Sequence, residues 1–277
     1  MPELSIPEKL YGVIGHPLAQ TLSPLLHNWG FARLGVRGAY LAFPTPPERL
    51  EAFIRAVRTL PIAGVSITIP HKEAVMPFLD DVSLAARRAS AVNTLVWEDG
   101  RLVGHNTDIT GFVAPLLERL ESVALKRALV LGAGGAAKAV LTGLTRLGIT
   151  DIVVANRALE RAEKLAAQFG VRAVAWEERL LAPADLVVNA TPMGMAGKAL
   201  NESPVPPGYW KPGHVAYDLI YNPRQTLFLR QASAAHARTI DGLTMFAAQG
   251  AAQFKLWTGR DLPMDEVHGL LARALYT

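Results

Sequence analysis

The sequence predicts an α/β protein of two domains, the second of them a doubly wound parallel sheet. Three observations carry this. Short apolar strand patterns alternate with helical ones along most of the 277 residues, the order that parallel strand–helix–strand units require. One such junction, between a buried strand and a helix, is the glycine-rich turn "GAGGAA", the place where this architecture binds an anion. An apolar share of 50% over this length is enough for two modest cores.

Taken in order, "YGVIG" is a first apolar strand, and a helix starts at Ser23-Pro24 with Ser at the N-cap and Pro at N1. "GAYLAFPT" is a second strand before the helical pattern "PPERLEAFIRAVRTL". A third strand, "AGVSITIP", leads into a helix near His71. "AVNTLVWEDGRLVGHNTD" places two short strands around an Asp-Gly turn, the signature of a hairpin. From Asp108 a helical stretch leads to "RALVLGAGGAAKAVLTGLTRLG", a strand, turn and helix followed by a strand from Asp151 to Ala155. Further strands are expected at "ADLVVNAT" and "HVAYDLIY", and helical patterning returns after Gly242. The N-terminal α/β substrate domain is expected to span 1–105 with a return over 240–277, and the cofactor domain 106–239.

Composition narrows the function. There is no cysteine, which excludes disulfides, thiolate metal sites and thiol nucleophiles. The net charge of +4 comes from scattered basic residues, which suits a small anionic ligand better than nucleic acid. No basic hydrophobic leader opens the sequence and no apolar run has the length of a membrane span, so a cytoplasmic protein without a membrane partner is expected. His16, His71 and His105 are joined by no metal-type spacing, and no metal site is expected. Composition leaves the assembly open, a homodimer included.

The turn fits GxGxxA with Gly132, Gly134 and Ala137 at its three fixed positions. Glycines there let the backbone approach a pyrophosphate that sits on the amides of the helix N-terminus. A cofactor of the NAD type would call for an acidic residue at the end of the next strand, to hold the ribose hydroxyls. Here "DIVVANRALERAEKL" offers Asn156, Arg157 and, one helical turn on, Arg161. A 2'-phosphate would meet charge-assisted donors, which argues for NADP(H) in a Rossmann-like domain. The alternative is a solvated arginine paired with Glu160 or Glu163.

The stretches "TLSPLLHN", "GVSITIPHKEAV", "SAVNTL", "GHNTDITGF", "GAGGAAKAV", "ANRALERAEKLA", "NATPMGM", "DLIYNPRQTLFL" and "GLTMFAAQGAAQFKLW" together resemble the shikimate dehydrogenase family, in its order and over nearly the whole chain. The resemblance implies reversible NADPH-dependent reduction of 3-dehydroshikimate to shikimate, with the site in the cleft between the domains. It implies Lys72 and Asp108 as the catalytic pair, and Asn93 and Thr68 on the ring hydroxyls. Thr21, Ser23 and Tyr221 would hold the carboxylate, and Gln249 would close on the substrate. Gly132, Ala133, Gly134, Gly135 and Ala136 would cradle the cofactor, and Asn156, Arg157 and Arg161 its 2'-phosphate. Thr191, Leu219, Gly242 and Met245 would lie along the cofactor toward the nicotinamide. Thr21 stands where the family usually has Ser, and Ala158 where it usually has Thr. These departures keep a broader quinate/shikimate dehydrogenase with wider cofactor use as an alternative, beside another NADP oxidoreductase and a non-catalytic NADP-binding sensor or scaffold.

The chemistry agrees with these residue types. Hydride transfer to a ketone builds negative charge on oxygen, so a proton donor or cation must lie within reach. Lys72 follows an apolar strand at a strand-to-helix turn, and a neighbouring Asp108 would favour its charged form. In the oxidative direction the same group is a base, which predicts that alcohol oxidation improves as pH rises. Ser23 and Thr21 supply hydroxyls where a helix begins, so an anion can be bound without arginine. Of seven asparagines, Asn28, Asn93, Asn106, Asn156, Asn189 and Asn222 lie inside the stretches quoted, a concentration that asks for a reason.

Overall fold

The computed structural model describes residues 6–18, 21–119, 125–197 and 199–276. Contacts divide the chain into two units, Met1–Thr107 with Gln249–Thr277, and Asp108–Ala248.

The first unit opens with β1 (Lys9–Gly15), α1 (Ser23–Leu34), β2 (Gly38–Pro44), α2 (Leu50–Val57), β3 (Ile62–Ile67) and the short α3 (His71–Ala74). β4 (Asp81–Val82), α4 (Leu84–Ala89), β5 (Thr94–Glu98) and β6 (Arg101–His105) follow. Its sheet has the order β2-β1-β3-β5-β6-β4. β1 pairs in parallel with β2 and β3, as crossover helices demand. β5 is antiparallel to both β3 and β6. The β5–β6 hairpin turns through Asp99 at φ 49° and Gly100 at φ 76°, the left-handed pair that an Asp-Gly loop supplies.

The helix α5 (Thr107–Arg119) leads into β7 (Arg127–Leu131), α6 (Gly135–Arg146), β8 (Asp151–Asn156), α7 (Leu159–Phe169) and β9 (Arg172–Ala175). Next come β10 (Leu186–Asn189), β11 (Val215–Asp218), α8 (Leu227–Ala234), β12 (Arg238–Ile240), α9 (Gly242–Thr258) and α10 (Met264–Tyr276). The second sheet has the order β12-β11-β10-β7-β8-β9, with every pairing parallel. All residues of β10 and β11 are buried, the pattern of strands covered on both faces. One cluster built on Val130, Val154 and Val188 meets α6 through Val140 and Leu144. Another, built on Leu129, Val153 and Val187, meets Phe228 and Leu229 of α8.

In the first unit, α2 and α4 pack Ile54 and Ala86 against Val65 and Leu95 of the sheet. Elsewhere in this unit the core is aromatic. His27 of α1 stacks on Tyr40 with ring centroids 4.5 Å apart, while Phe254 and Trp257 of α9 lie 6.3 and 5.0 Å from the same imidazole. Burial pushes His27 down to about 3, so the ring is neutral at ordinary pH.

One local expectation is corrected. The N-cap of α1 falls on Leu22 rather than Ser23, and no side chain caps the helix. Pro24 follows one position inside the helix. Instead the Ser23 amide donates to Thr21 Oγ1 at 3.4 Å. Leu22 at the N-cap already has helical backbone, φ −94° and ψ −2°, so the turn begins one residue earlier and Ser23, 8% exposed, lies inside it.

Candidate active site

In the first unit the residues singled out from sequence gather near the C-terminal end of β3. Thr68 follows that strand, and its amide donates to Ile14 O of β1. Lys72 lies in α3, half-buried, with its peptide held on both sides. The adjacent His71 is buried with Nε2 2.6 Å from Thr45 O, and Val92 N donates to Lys72 O at 2.7 Å. That second bond sets the Lys72 turn beside Asn93, which immediately precedes β5.

Asn93 is 2% exposed and acts as a hub. Its Oδ1 accepts from Thr107 N at 2.7 Å and from Thr94 Oγ1 at 2.8 Å. Its Nδ2 donates to Thr107 Oγ1 at 3.0 Å and to Gln249 Oε1 at 3.4 Å. Asn93 therefore fixes Thr107, the first residue of α5, and orients Gln249. Asp108 is the next residue of that helix, half-buried in its first turn.

Sequence reasoning missed Gln253, one turn beyond Gln249 on α9. It donates to Asn93 O at 3.1 Å and to Thr94 Oγ1 at 3.0 Å, and its Oε1 accepts from Ser66 Oγ at 2.9 Å. A signal existed, because two glutamines four residues apart share one face of a largely apolar helix. A buried amide there needs partners.

The second unit places its candidates at the C-terminal ends of parallel strands. Gly132 follows β7 and Thr191 follows β10, so both stand where the strand order reverses, the usual ligand crevice of such sheets. Gly132 has φ 109°, and a Cβ on it would lie 2.7 Å from Ala190 O. Ala133 and Ala136 are half-buried, while Gly134 and Gly135 have nothing within 4 Å of a built Cβ. No side chain caps α6 at Gly134. An uncapped 12-residue helix behind bare glycine backbone fits the pyrophosphate of a dinucleotide. Gly132→Ala is expected to weaken dinucleotide binding at least tenfold and to lower the melting temperature, through left-handed strain and the Ala190 contact. Titration calorimetry and thermal melting check both effects.

Asn156 ends β8, and its Nδ2 is engaged locally with Ala158 O at 2.9 Å. Arg157 and Arg161 are exposed, and neither forms an ion pair with Glu160 or Glu163 among the described residues. Thr191 donates to Asn189 Oδ1 at 2.7 Å and receives Met193 N at 3.2 Å, which shapes the "TPMG" loop. Beneath it, Asp218 is fully buried and accepts from Thr226 Oγ1 at 2.6 Å, Ile220 N at 3.0 Å and Asn189 Nδ2 at 3.1 Å. Burial pushes its carboxyl up to about 7 against those three donors. Neither Asp218 nor Thr226 was singled out from sequence.

Leu219 and Gly242 meet through backbone, since a Cβ on Gly242 would lie 2.5 Å from Leu219 O. Asp241 caps the start of α9 through Thr244 N at 3.0 Å and pairs with Arg224 at 3.0 Å. Met245 is buried in the core of this unit. Tyr221 is half-buried against Phe246 at 5.2 Å, and burial raises its phenol.

The asparagine concentration has a structural answer. Asn28 pairs with both backbone groups of Tyr40 at 2.8 and 2.9 Å, and Asn106 donates to Ala91 O. With Asn93, Asn156 and Asn189, five of the six side chains bind backbone.

A six-stranded parallel sheet with a bare glycine turn at its switch point defines a dinucleotide-binding α/β protein, here joined to a second α/β unit carrying a buried polar cluster around Asn93. Family models match along the chain: the shikimate dehydrogenase substrate binding domain over 13–95, shikimate/quinate 5-dehydrogenase over 116–196, and the shikimate 5'-dehydrogenase C-terminal domain over 242–271. The chain belongs to the shikimate dehydrogenase family. A shikimate dehydrogenase (NADP(+)) of Oleidesulfovibrio alaskensis is 55% identical over 98% of this chain and 97% of its own. The Thermus thermophilus shikimate 5-dehydrogenase, solved with NADP(H) and shikimate, is 40% identical with a TM-score of 0.87, covering 96% of this chain and 100% of its own. A quinate dehydrogenase of Corynebacterium glutamicum, solved with NAD, is 32% identical with a TM-score of 0.90 over 96% and 99% of the two chains.

Proposed function

We propose that this chain catalyses the reversible reduction of 3-dehydroshikimate to shikimate with NADPH. The observation that carries the reading is identity of 55% across nearly the whole chain to a named NADP-dependent shikimate dehydrogenase. The placement of Lys72, Asn93, Thr68 and Gln249 around one strand end supports it.

In the reductive direction NADPH supplies a hydride to the ring ketone. Lys72 gives a proton to the ketone oxygen as charge builds there, and takes it back when the alcohol is oxidised. Asp108 is its partner in the pair and holds the ammonium in place. Asn93 and Thr68 bind ring hydroxyls, Thr21, Ser23 and Tyr221 the carboxylate, and Gln249 closes on the substrate. Gly132 to Ala136 present backbone amides to the pyrophosphate, and Asn156, Arg157 and Arg161 bind the 2'-phosphate. Thr191, Leu219, Gly242 and Met245 border the rest of the cofactor. Among the described residues no helix is long and apolar enough to cross a membrane. We place the reaction in the cytoplasm, and sedimentation distinguishes a monomer from a homodimer.

Initial rates with shikimate and quinate, each with NADP and NAD, test the reading. Shikimate with NADP is expected to dominate. Arg157→Ala should raise KM for NADP about tenfold, the worth of one charge-assisted phosphate contact, and leave NAD kinetics unchanged. Equal use of quinate or NAD would favour a broader quinate/shikimate dehydrogenase, the second reading that Thr21 and Ala158 support. Tight NADPH binding without turnover would leave a non-catalytic sensor.

A further inference from the structure

Gln253 is 2% exposed, out of reach of a ligand, yet both ends of its amide are bonded within the first unit. Nε2 donates to Asn93 O at 3.1 Å and to Thr94 Oγ1 at 3.0 Å. A backbone carbonyl can only accept, so this contact settles which end of the amide is Nε2. Oε1 then faces Ser66 Oγ at 2.9 Å and His27 Nε2 at 3.3 Å. Since that oxygen only accepts, the neutral His27 ring carries its proton on Nε2.

Thr94 passes the constraint on. Its oxygen receives Gln253, and its own proton goes to Asn93 Oδ1 at 2.8 Å, beside the Thr107 amide at 2.7 Å. Two donors on Oδ1 make Nδ2 the end of the Asn93 amide that faces Gln249 Oε1, at 3.4 Å. The same contacts set the register of α9. Gln249, Gln253 and Trp257 share one face of the helix at i, i+4 and i+8, and Trp257 Nε1 donates to Leu95 O at 2.9 Å. Four helical residues rise about 6 Å and two strand residues about 6.6 Å, so Gln253 on Asn93 and Trp257 on Leu95 stay in step. Gly64 of β3 makes room for the indole, because a Cβ there would collide with Trp257 Nε1.

We propose that Gln253 is a positioning residue for the substrate: it clamps α9 to the Asn93 peptide and, through Thr94, orients the Asn93 amide, so that Asn93 and Gln249 are aligned before the substrate arrives. The inference rests on the function proposed above. Groups aligned beforehand lose no ordering entropy on binding, so loss of the clamp falls on affinity rather than on proton or hydride transfer.

The test measures Kd for shikimate by titration calorimetry, with kcat, KM for NADP and melting temperature beside it, in the wild type, Gln253→Met, Thr94→Val and Ser66→Ala. Methionine keeps the length of glutamine and removes its hydrogen bonds. Gln253→Met is expected to weaken shikimate about tenfold, with kcat and KM for NADP within about twofold. Thr94→Val removes the relay to Asn93 Oδ1 and keeps the Gln253 bond to Asn93 O. It is expected to weaken shikimate about threefold, and it decides the matter if Gln253→Met fails to fold. Ser66→Ala takes away the acceptor of Tyr40 Oη at 2.6 Å and so lowers the melting temperature, while the bonds of Gln253 to Asn93 and Thr94 remain. Its Kd for shikimate is expected to stay within about twofold of wild type. An unchanged Kd in Gln253→Met or Thr94→Val, a kcat that falls as far as the affinity, or equal weakening by Ser66→Ala would overturn the inference alone. Absence of shikimate binding by the wild type would overturn the functional reading as well.

Discussion

Lys72→Met is expected to lower kcat for oxidation of shikimate by NADP by about 10²–10⁴-fold, the usual worth of a positioned proton-transfer group. Methionine keeps the length and apolar stem of lysine and removes the ammonium. The turn that carries the residue is held by the His71–Thr45 bond and by the Val92–Lys72 backbone bond, both of which the substitution keeps. Stability should therefore change little, and KM for NADP should stay within about twofold. An interaction made only as charge develops lowers kcat and kcat/KM together, so the two should fall in parallel. Steady-state kinetics in both directions measure this. A kcat within threefold of wild type would remove Lys72 from the chemistry.

Asp218→Ala is expected to destabilise the second unit by about 3–5 kcal/mol, the range for breaking a buried polar network around a carboxyl. Three donors, from Thr226, Ile220 and Asn189, would lose their acceptor in a site with no exposed surface. Asn189 also shapes the Thr191 loop, so dinucleotide affinity should fall with stability. The wild-type residue has a pH signature of definite sign. Burial pushes its folded carboxyl up to about 7, against 3.8 for a carboxyl in water. Between those limits the folded state holds a proton that the unfolded chain has released. Its contribution is thus complete below pH 3.8 and lost as pH rises to about 7. His27 acts oppositely, since its folded value of about 3 lies below 6.5 and its contribution is lost as pH falls. Subtracting the melting curves of Asp218→Asn from those of wild type at each pH isolates the aspartate. A difference that grows with pH from 4 to 7 would refute the assignment.

Much of this was legible in the chain because its signals are local. The glycine spacing of "GAGGAA", the Asp-Gly hairpin and the apolar runs of β7, β8 and β10 depend on neighbours a few residues away, and each lies where it was expected. The strands β4, β9 and β12 were not expected. They are two to four residues long and all three are sheet edges, so little apolar pattern marks them.

The site divides in the same way. Sequence by itself determined which residue types stand where the proposed chemistry needs them: a lysine after an apolar strand, arginines where an acid would exclude a phosphate, and hydroxyls at a helix start. Tertiary structure decided what those groups face. It moved the N-cap of α1 from Ser23 to Leu22, tied the Thr107 amide to Asn93, and brought Gln253 across 160 residues of chain to the Asn93 carbonyl. Hydrogen-bond partners so distant in sequence leave no periodicity behind them, because burial removes water as the alternative partner only once the sheet and α9 have met.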